Sequence, residues 1–220
     1  MTLFSRLKAA NPSDWQAYIT HDFVQGLGRG DLPREAFEFY LKQDYLFLIH
    51  FARAYALAAY KSDNLDDLKA AAKTVNGLVD TEMSLHVKYC AGWGISEAEM
   101  QQVTEAPENM AYTRYVLERG MAGDILDLYV ALAPCIVGYG EIGRALMDNP
   151  ATVKEGNPYL PWIEVYASDD YQEMVEDSIR QIDRLAESRF TEKRFDSLSK
   201  TFGDATRLEI SFWQMGLNAL

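Results

Sequence analysis

The chain has 220 residues, 48% of them hydrophobic, which is enough for a substantial buried core and too many for a disordered polymer. Its 21 basic and 33 acidic side chains leave a formal charge of −12, which argues against a nucleic-acid backbone or an anionic membrane surface as partner. A cationic small molecule would be weakly attracted.

The opening stretch MTLFSRLKAANPSDW turns polar before a signal-peptide core could form. No apolar run approaches the ~18 residues a membrane span requires, so cytoplasm is the expected compartment. Both cysteines, Cys90 and Cys135, are then expected to stay reduced.

Helical periodicity dominates the rest, and no segment alternates as a strand would. LPREAFEFYLKQDYLFLIHFARAYALAAY predicts the longest helix, with Asp31 as cap, Pro33 near the first turn and an end near Tyr60. A second helix is expected from about Asn64 to the glycines Gly92 and Gly94. SEAE at Ser96 reads as a capping box opening a short helix. Further helices are expected at about 107–120, 124–148, 158–167, 169–189 and 192–217. No linker, charge block or repeat divides the chain, so residues 1–220 read as one all-α domain. Several helices, such as FLIHFARAYALAAY, are apolar on more than one side and suit a bundle centre or a subunit interface.

Pro134 alone among the prolines falls where a helix should be continuous. Proline there removes a backbone hydrogen bond and crowds the carbonyl four residues back, at a cost of ~3 kcal/mol or more. The expectation is a broken helix that presents Cys135 to a pocket, with Tyr139 one turn on and on the same face.

Three other sets of polar side chains sit among apolar ones. Asp44 lies on the row Tyr40, Asp44, Phe47, Leu48, Phe51, where an ionised carboxylate costs several kcal/mol unless paired. It is either a core aspartate satisfied by a Tyr, Arg or Lys, or a ligand-binding carboxylate. Glu209 lies on the row Ala205, Glu209, Phe212, Trp213. It is either half of an internal salt bridge or a carboxyl of raised pKa suited to proton donation. Glu82 and His86 stand one turn apart and form either a structural pair or part of a metal site. With only three histidines, none preceded at three residues by Asp or Glu, the paired Glu-x-x-His pattern of di-iron bundles is missing. Thirteen tyrosines, among them Tyr112, Tyr139 and Tyr166, could stack on a flat heterocycle.

QDYLFL (43–48), EMSLH (82–86), AYTRY (111–115), APCIVGYGEIG (133–143) and EISFW (209–213) together resemble the TenA/thiaminase II family, in that family's order and at about its spacing. The resemblance covers nearly the whole chain. It implies an all-α bundle similar to haem oxygenase, assembled as a homotetramer. It also implies hydrolysis of 4-amino-5-aminomethyl-2-methylpyrimidine to the hydroxymethylpyrimidine of thiamine salvage, and cleavage of thiamine to that pyrimidine and the thiazole alcohol, without a metal or organic cofactor.

Carried over residue by residue, Cys135 would be the nucleophile and Glu209 the acid/base. Asp44 would hold the pyrimidine amino group and the neighbouring ring nitrogen. Tyr112, Tyr139 and Tyr166 would contact substrate or orient these groups, and Phe47 and Phe212 would pack on the ring. Family members often carry tyrosine at the position of Phe47, with its hydroxyl linked to thiol activation, so the resemblance does not say how Cys135 is activated. The alternative is a non-catalytic pyrimidine-binding or regulatory helical protein, which would need no cysteine–glutamate–aspartate constellation.

Overall fold

A computed structural model describes residues 2–219. Three short helices open the chain: α1 (Leu3–Ala10), α2 (Pro12–Ile19) and α3 (Asp22–Arg29). None of these was legible as a helix in the sequence, because eight residues are too few to show an apolar period. Local signals nonetheless specify them. The Thr2 hydroxyl caps α1, Pro12 opens α2, His21 Nδ1 accepts from the Phe23 amide at the start of α3, and Gly30 ends α3 in the left-handed region.

α4 (Arg34–Tyr60) follows. Pro33, not Asp31, occupies its N-cap, while Asp31 pairs with the Arg29 guanidinium at 3.0 Å. The helix expected from Asn64 to Gly92 is present in two parts, α5 (Leu65–Asn76) and α6 (Met83–Gly92), joined by a π turn over Gly77–Glu82. Asn64 caps α5, and Ser96 with Glu99 forms the expected capping box on α7 (Glu97–Gln102).

α8 (Pro107–Ala122), α9 (Ile125–Asp148), α10 (Leu160–Ala167), α11 (Asp169–Arg189) and α12 (Phe195–Asn218) complete the bundle. All of the expected helices are present, and no strand occurs among the described residues.

α9 is the axis around which the others assemble: α2, α4, α8, α10, α11 and α12 all pack on it. It opens with Asp124 and Asp127 capping each other's backbone amides, and Arg194 clamps both carboxylates from the turn before α12. The expected break at Pro134 does not occur, and α9 runs through it without interruption. Pro134 is buried, as are Leu132, Ala133, Ile136 and Val137 around it, while Cys135 is half-buried. Burying each large apolar side chain stabilises by roughly 1.5–3 kcal/mol, so a few such contacts outweigh the one lost backbone bond. The Tyr18 hydroxyl donates to the Pro134 carbonyl at 3.3 Å. Tyr18 comes this close because residue 138 is glycine: a Cβ there would overlap the Tyr18 ring. Gly143 does the same for the backbone of Tyr166 on α10.

One expectation about membranes needs correction. α9 is long and apolar enough to cross a bilayer, but it is buried inside this bundle and its hydrophobicity is that of a core helix.

Candidate active site

α4, α5, α9, α10, α11 and the π turn line a cavity of about 800 Å³. The row read from α4 supplies Asp44, Phe47, Leu48 and Phe51, with Tyr55 one turn further. α9 supplies Cys135 and Tyr139, one turn apart as expected, and α10 supplies Tyr166. Asp44, Phe47, Cys135, Tyr139 and Tyr166 therefore converge on one space.

Glu209, Tyr112 and Phe212 are absent from the cavity wall and form the layer behind it. Phe212 meets the Phe47 ring at 5.6 Å and Phe47 meets Tyr112 at 5.3 Å, so Phe212 supports the wall rather than forming it. Glu209 is 1% exposed and has no cationic partner. The internal salt bridge weighed for it is not formed, since Arg207 turns outward to Asp14 and Asp204. Instead the Tyr112 hydroxyl donates to Glu209 Oε1 at 2.7 Å, and the Cys135 thiol adjoins the same carboxyl. Burial raises the Glu209 pKa to about 8 despite the tyrosine's opposing donation. Burial, with the negative charge of Glu209 next in weight, holds the Cys135 thiol well above its ordinary value. The resting site thus holds a neutral thiol beside a carboxyl that is mostly protonated at neutral pH.

Asp44 also lacks an Arg, Lys or Tyr partner, and burial raises its pKa to about 7. The pair expected between Glu82 and His86 is rearranged. Glu82 lines the cavity, its own pKa raised by burial, while His86 Nδ1 stands 3.5 Å from Asp44 Oδ2. Among the described residues no group of three or more His, Cys, Asp or Glu side chains is arranged to hold a metal ion. Cys90 is fully buried and, like Cys135, free.

Tyr139 is tied into the core by a directional chain. The Trp162 indole N–H donates to the Tyr40 hydroxyl at 3.4 Å, and Tyr40 donates to the Tyr139 hydroxyl at 3.5 Å. The Tyr139 proton is thereby left free to point into the cavity.

The sequence reading missed Tyr171, Met174, Ser178 and Gln181, which bring α11 to the cavity. Their spacing is helical, but Asp170, Glu173, Asp177 and Arg180 of α11 line the same cavity, so this side of the helix does not stand out as apolar. Next to Gln181, Arg184 of α11 pairs with Asp67 of α5.

Residues 10–219 match the profile of the TENA/THI-4/PQQC family. The chain belongs to that family. An aminopyrimidine aminohydrolase of Halalkalibacterium halodurans is 37% identical, over 93% of this chain and 90% of its own length. A crystal structure of a Silicibacter protein, described as a TenA family transcription regulator, superposes with a TM-score of 0.92 at 47% identity. That match covers 98% of this chain and 96% of the other. A Shewanella denitrificans domain of haem oxygenase-like fold superposes at 0.73 with 13% identity, over 98% of this chain and 92% of that one, and so shares the fold alone. Membership of the TENA/THI-4/PQQC family and an all-α bundle of haem-oxygenase type are both as expected from the sequence.

Proposed function

We propose that the protein is an aminopyrimidine aminohydrolase of thiamine salvage, converting 4-amino-5-aminomethyl-2-methylpyrimidine and water to the hydroxymethylpyrimidine and ammonia. The observation that carries this is the convergence of Cys135 and Asp44 on one cavity, with Glu209 directly behind the thiol. The Halalkalibacterium enzyme's name and its similarity along the chain support the same activity.

In this reading Asp44 holds the amino group and adjacent nitrogen of the pyrimidine, and the rings of Phe47, Tyr139 and Tyr166 enclose it. Glu209, protonated at rest and behind the wall in the ligand-free protein, comes into reach of the ring nitrogen on the opposite side as the ring seats against Cys135, and its proton there makes the ring an electron sink. The resulting Glu209 carboxylate accepts the thiol proton as Cys135 sulfur bonds to the ring carbon beside that nitrogen. Electrons returning from the ring break the bond between the methylene and the amine, which takes the proton held on Glu209 and leaves as ammonia. Water adds to the methylene and gives its proton to the Glu209 carboxylate; the sulfur–carbon bond then breaks, Glu209 reprotonates the departing thiolate, and the ring regains aromaticity as its nitrogen returns its proton to Glu209. Tyr112, donating to Oε1, keeps the carboxyl oriented for both transfers. With phenylalanine at position 47, Glu209 is the group placed to take the thiol proton.

The cavity is larger than one substituted pyrimidine, which supports cleavage of thiamine to the thiazole alcohol by the same route. The chain is read as one domain, because α9 packs against elements from both ends of the sequence. Exposed Leu65, Val79 and Leu85 on α5, the π turn and α6 support assembly, and we assign a homotetramer; light scattering showing a monomer at working concentration would refute it.

Incubation with the aminopyrimidine and with thiamine, following ammonia and thiazole separately, tests the activity. Cys135→Ser is expected to abolish turnover while pyrimidine binding persists. Near-normal ammonia release by that variant would overturn the covalent route.

A further inference from the structure

Behind Asp44 lies a group the scheme above does not use. The His86 ring is set by two contacts, and together they fix its protonation. Nε2 stands 2.9 Å from the Leu41 backbone carbonyl, which can only accept, so Nε2 carries a hydrogen. In the neutral ring Nδ1 then holds a bare lone pair, and it faces Asp44 Oδ2 at 3.5 Å. A lone pair directed at a carboxylate oxygen is repulsive. The contact is favourable only with a proton between the two, as a carboxylic acid facing imidazole or a carboxylate facing imidazolium. His86 has 10% and Asp44 12% of its side chain exposed, so the contact is only weakly screened.

We propose that His86 is a positioning residue for substrate recognition: it fixes the plane of the Asp44 carboxyl and keeps one exchangeable proton on the Asp44–His86 pair, so that the carboxyl suits a neutral 4-aminopyrimidine. The inference rests on the assignment of Asp44 as the pyrimidine-binding group. A 4-aminopyrimidine edge offers an N–H donor beside an acceptor nitrogen. A bare carboxylate matches only the donor, whereas a carboxyl with access to a proton matches both. Elevation of the Asp44 pKa to about 7 by burial acts in the same direction.

The other titratable groups whose charge Asp44 senses, or that sense its own, are Tyr40 on its own helix, Glu82 at the π turn and Cys90 on α6. Cys135 and Tyr139 on α9, Tyr166 on α10 and Glu209 on α12 complete the set. None of these is cationic. His86 is therefore the basic partner in this shell, and sharing with it lets the pair keep its proton to higher pH than Asp44 would alone.

The test is calorimetric binding of 4-amino-5-hydroxymethyl-2-methylpyrimidine to the full chain at pH 6 and pH 8.5, for wild type, His86→Asn and Asp44→Ala. Asparagine can still contact Asp44 but cannot carry the shared proton, so the affinity lost by His86→Asn should be at least tenfold greater at pH 8.5 than at pH 6. An equal loss at both pH values, or no loss, overturns the proposal and leaves His86 a packing residue. If Asp44→Ala binds like wild type, the assignment of Asp44 itself fails instead. His86→Gln replaces His86→Asn should the latter not fold by circular dichroism.

Discussion

The two acidic ends of the site are built from the same kind of group, a carboxyl removed from water and unpaired with any Arg or Lys, yet their surroundings differ. Asp44 lies on the cavity wall with an imidazole behind it. Glu209 lies behind the wall with a phenol on one oxygen and a thiol beside it. An imidazole can exchange a proton near neutral pH, while a phenol as deeply buried as Tyr112, its own pKa raised well above the ordinary value, can only donate a hydrogen bond. Burial is the main cause raising both carboxyl pKa values, with the charge of Asp44 adding to it at Glu209; the neighbour decides what each carboxyl can do. In the proposed scheme the Asp44 end serves recognition and the Glu209 end proton transfer to and from the Cys135 thiol.

That contrast can be broken by experiment, starting at the Glu209 end. Glu209→Gln keeps the shape and removes the transferable proton, so kcat should fall by about 10³-fold with KM little changed, measured by ammonia release. A comparable rise in KM would erase the distinction between the ends. Asp44→Ala should instead raise KM by roughly 10–100-fold, the loss of charge-assisted hydrogen bonds, with a smaller effect on kcat. Tyr112→Phe leaves Glu209 in place but frees Oε1, and should lower kcat by about threefold to tenfold without moving KM.

The smallest expected effect is on stability. Both carboxyls keep their protons in the folded state to about pH 7 and about pH 8, whereas in the unfolded chain they ionise at ordinary values. The unfolded state therefore binds fewer protons between about pH 4.5 and pH 8, and stability falls as pH rises through that window. Each group contributes at most about 1.4 kcal/mol per pH unit. The Tm of the ligand-free protein should decline across this range, and Glu209→Gln should flatten the decline. A slope unaltered by that substitution would show that Glu209 is ionised in the folded protein at neutral pH.

The long helices were legible because their apolar rows run for many turns and their caps are local. Ser96 with Glu99, and Asn64, did what their sequence context predicts. That Cys135 and Tyr139 share a face was legible from their spacing, whereas the arrival of Asp44 at the same cavity was implied by the family resemblance and by no local pattern. Two features were not. The π turn follows from how α5 and α6 pack against α4, and it inserts an extra residue per turn that ordinary periodicity does not foresee. It accompanies the failure of the Glu82–His86 pair, sending Glu82 to the cavity and His86 to Asp44. Pro134 misled in the opposite sense. The local cost was read correctly, but the dense packing around α9, with Tyr18 seated on Gly138, is non-local and dominates.

The aromatic shelf behind the cavity has an optical consequence. Trp213 lies 5.1 Å from the Tyr139 ring and Trp162 lies 4.5 Å from the Tyr166 ring, ring centre to ring centre. Two indoles are thus in contact with two phenols that face the binding space. A heterocycle entering that space perturbs both emitters through a single intervening ring, so the protein carries its own ultraviolet reporter of occupancy and needs no attached dye.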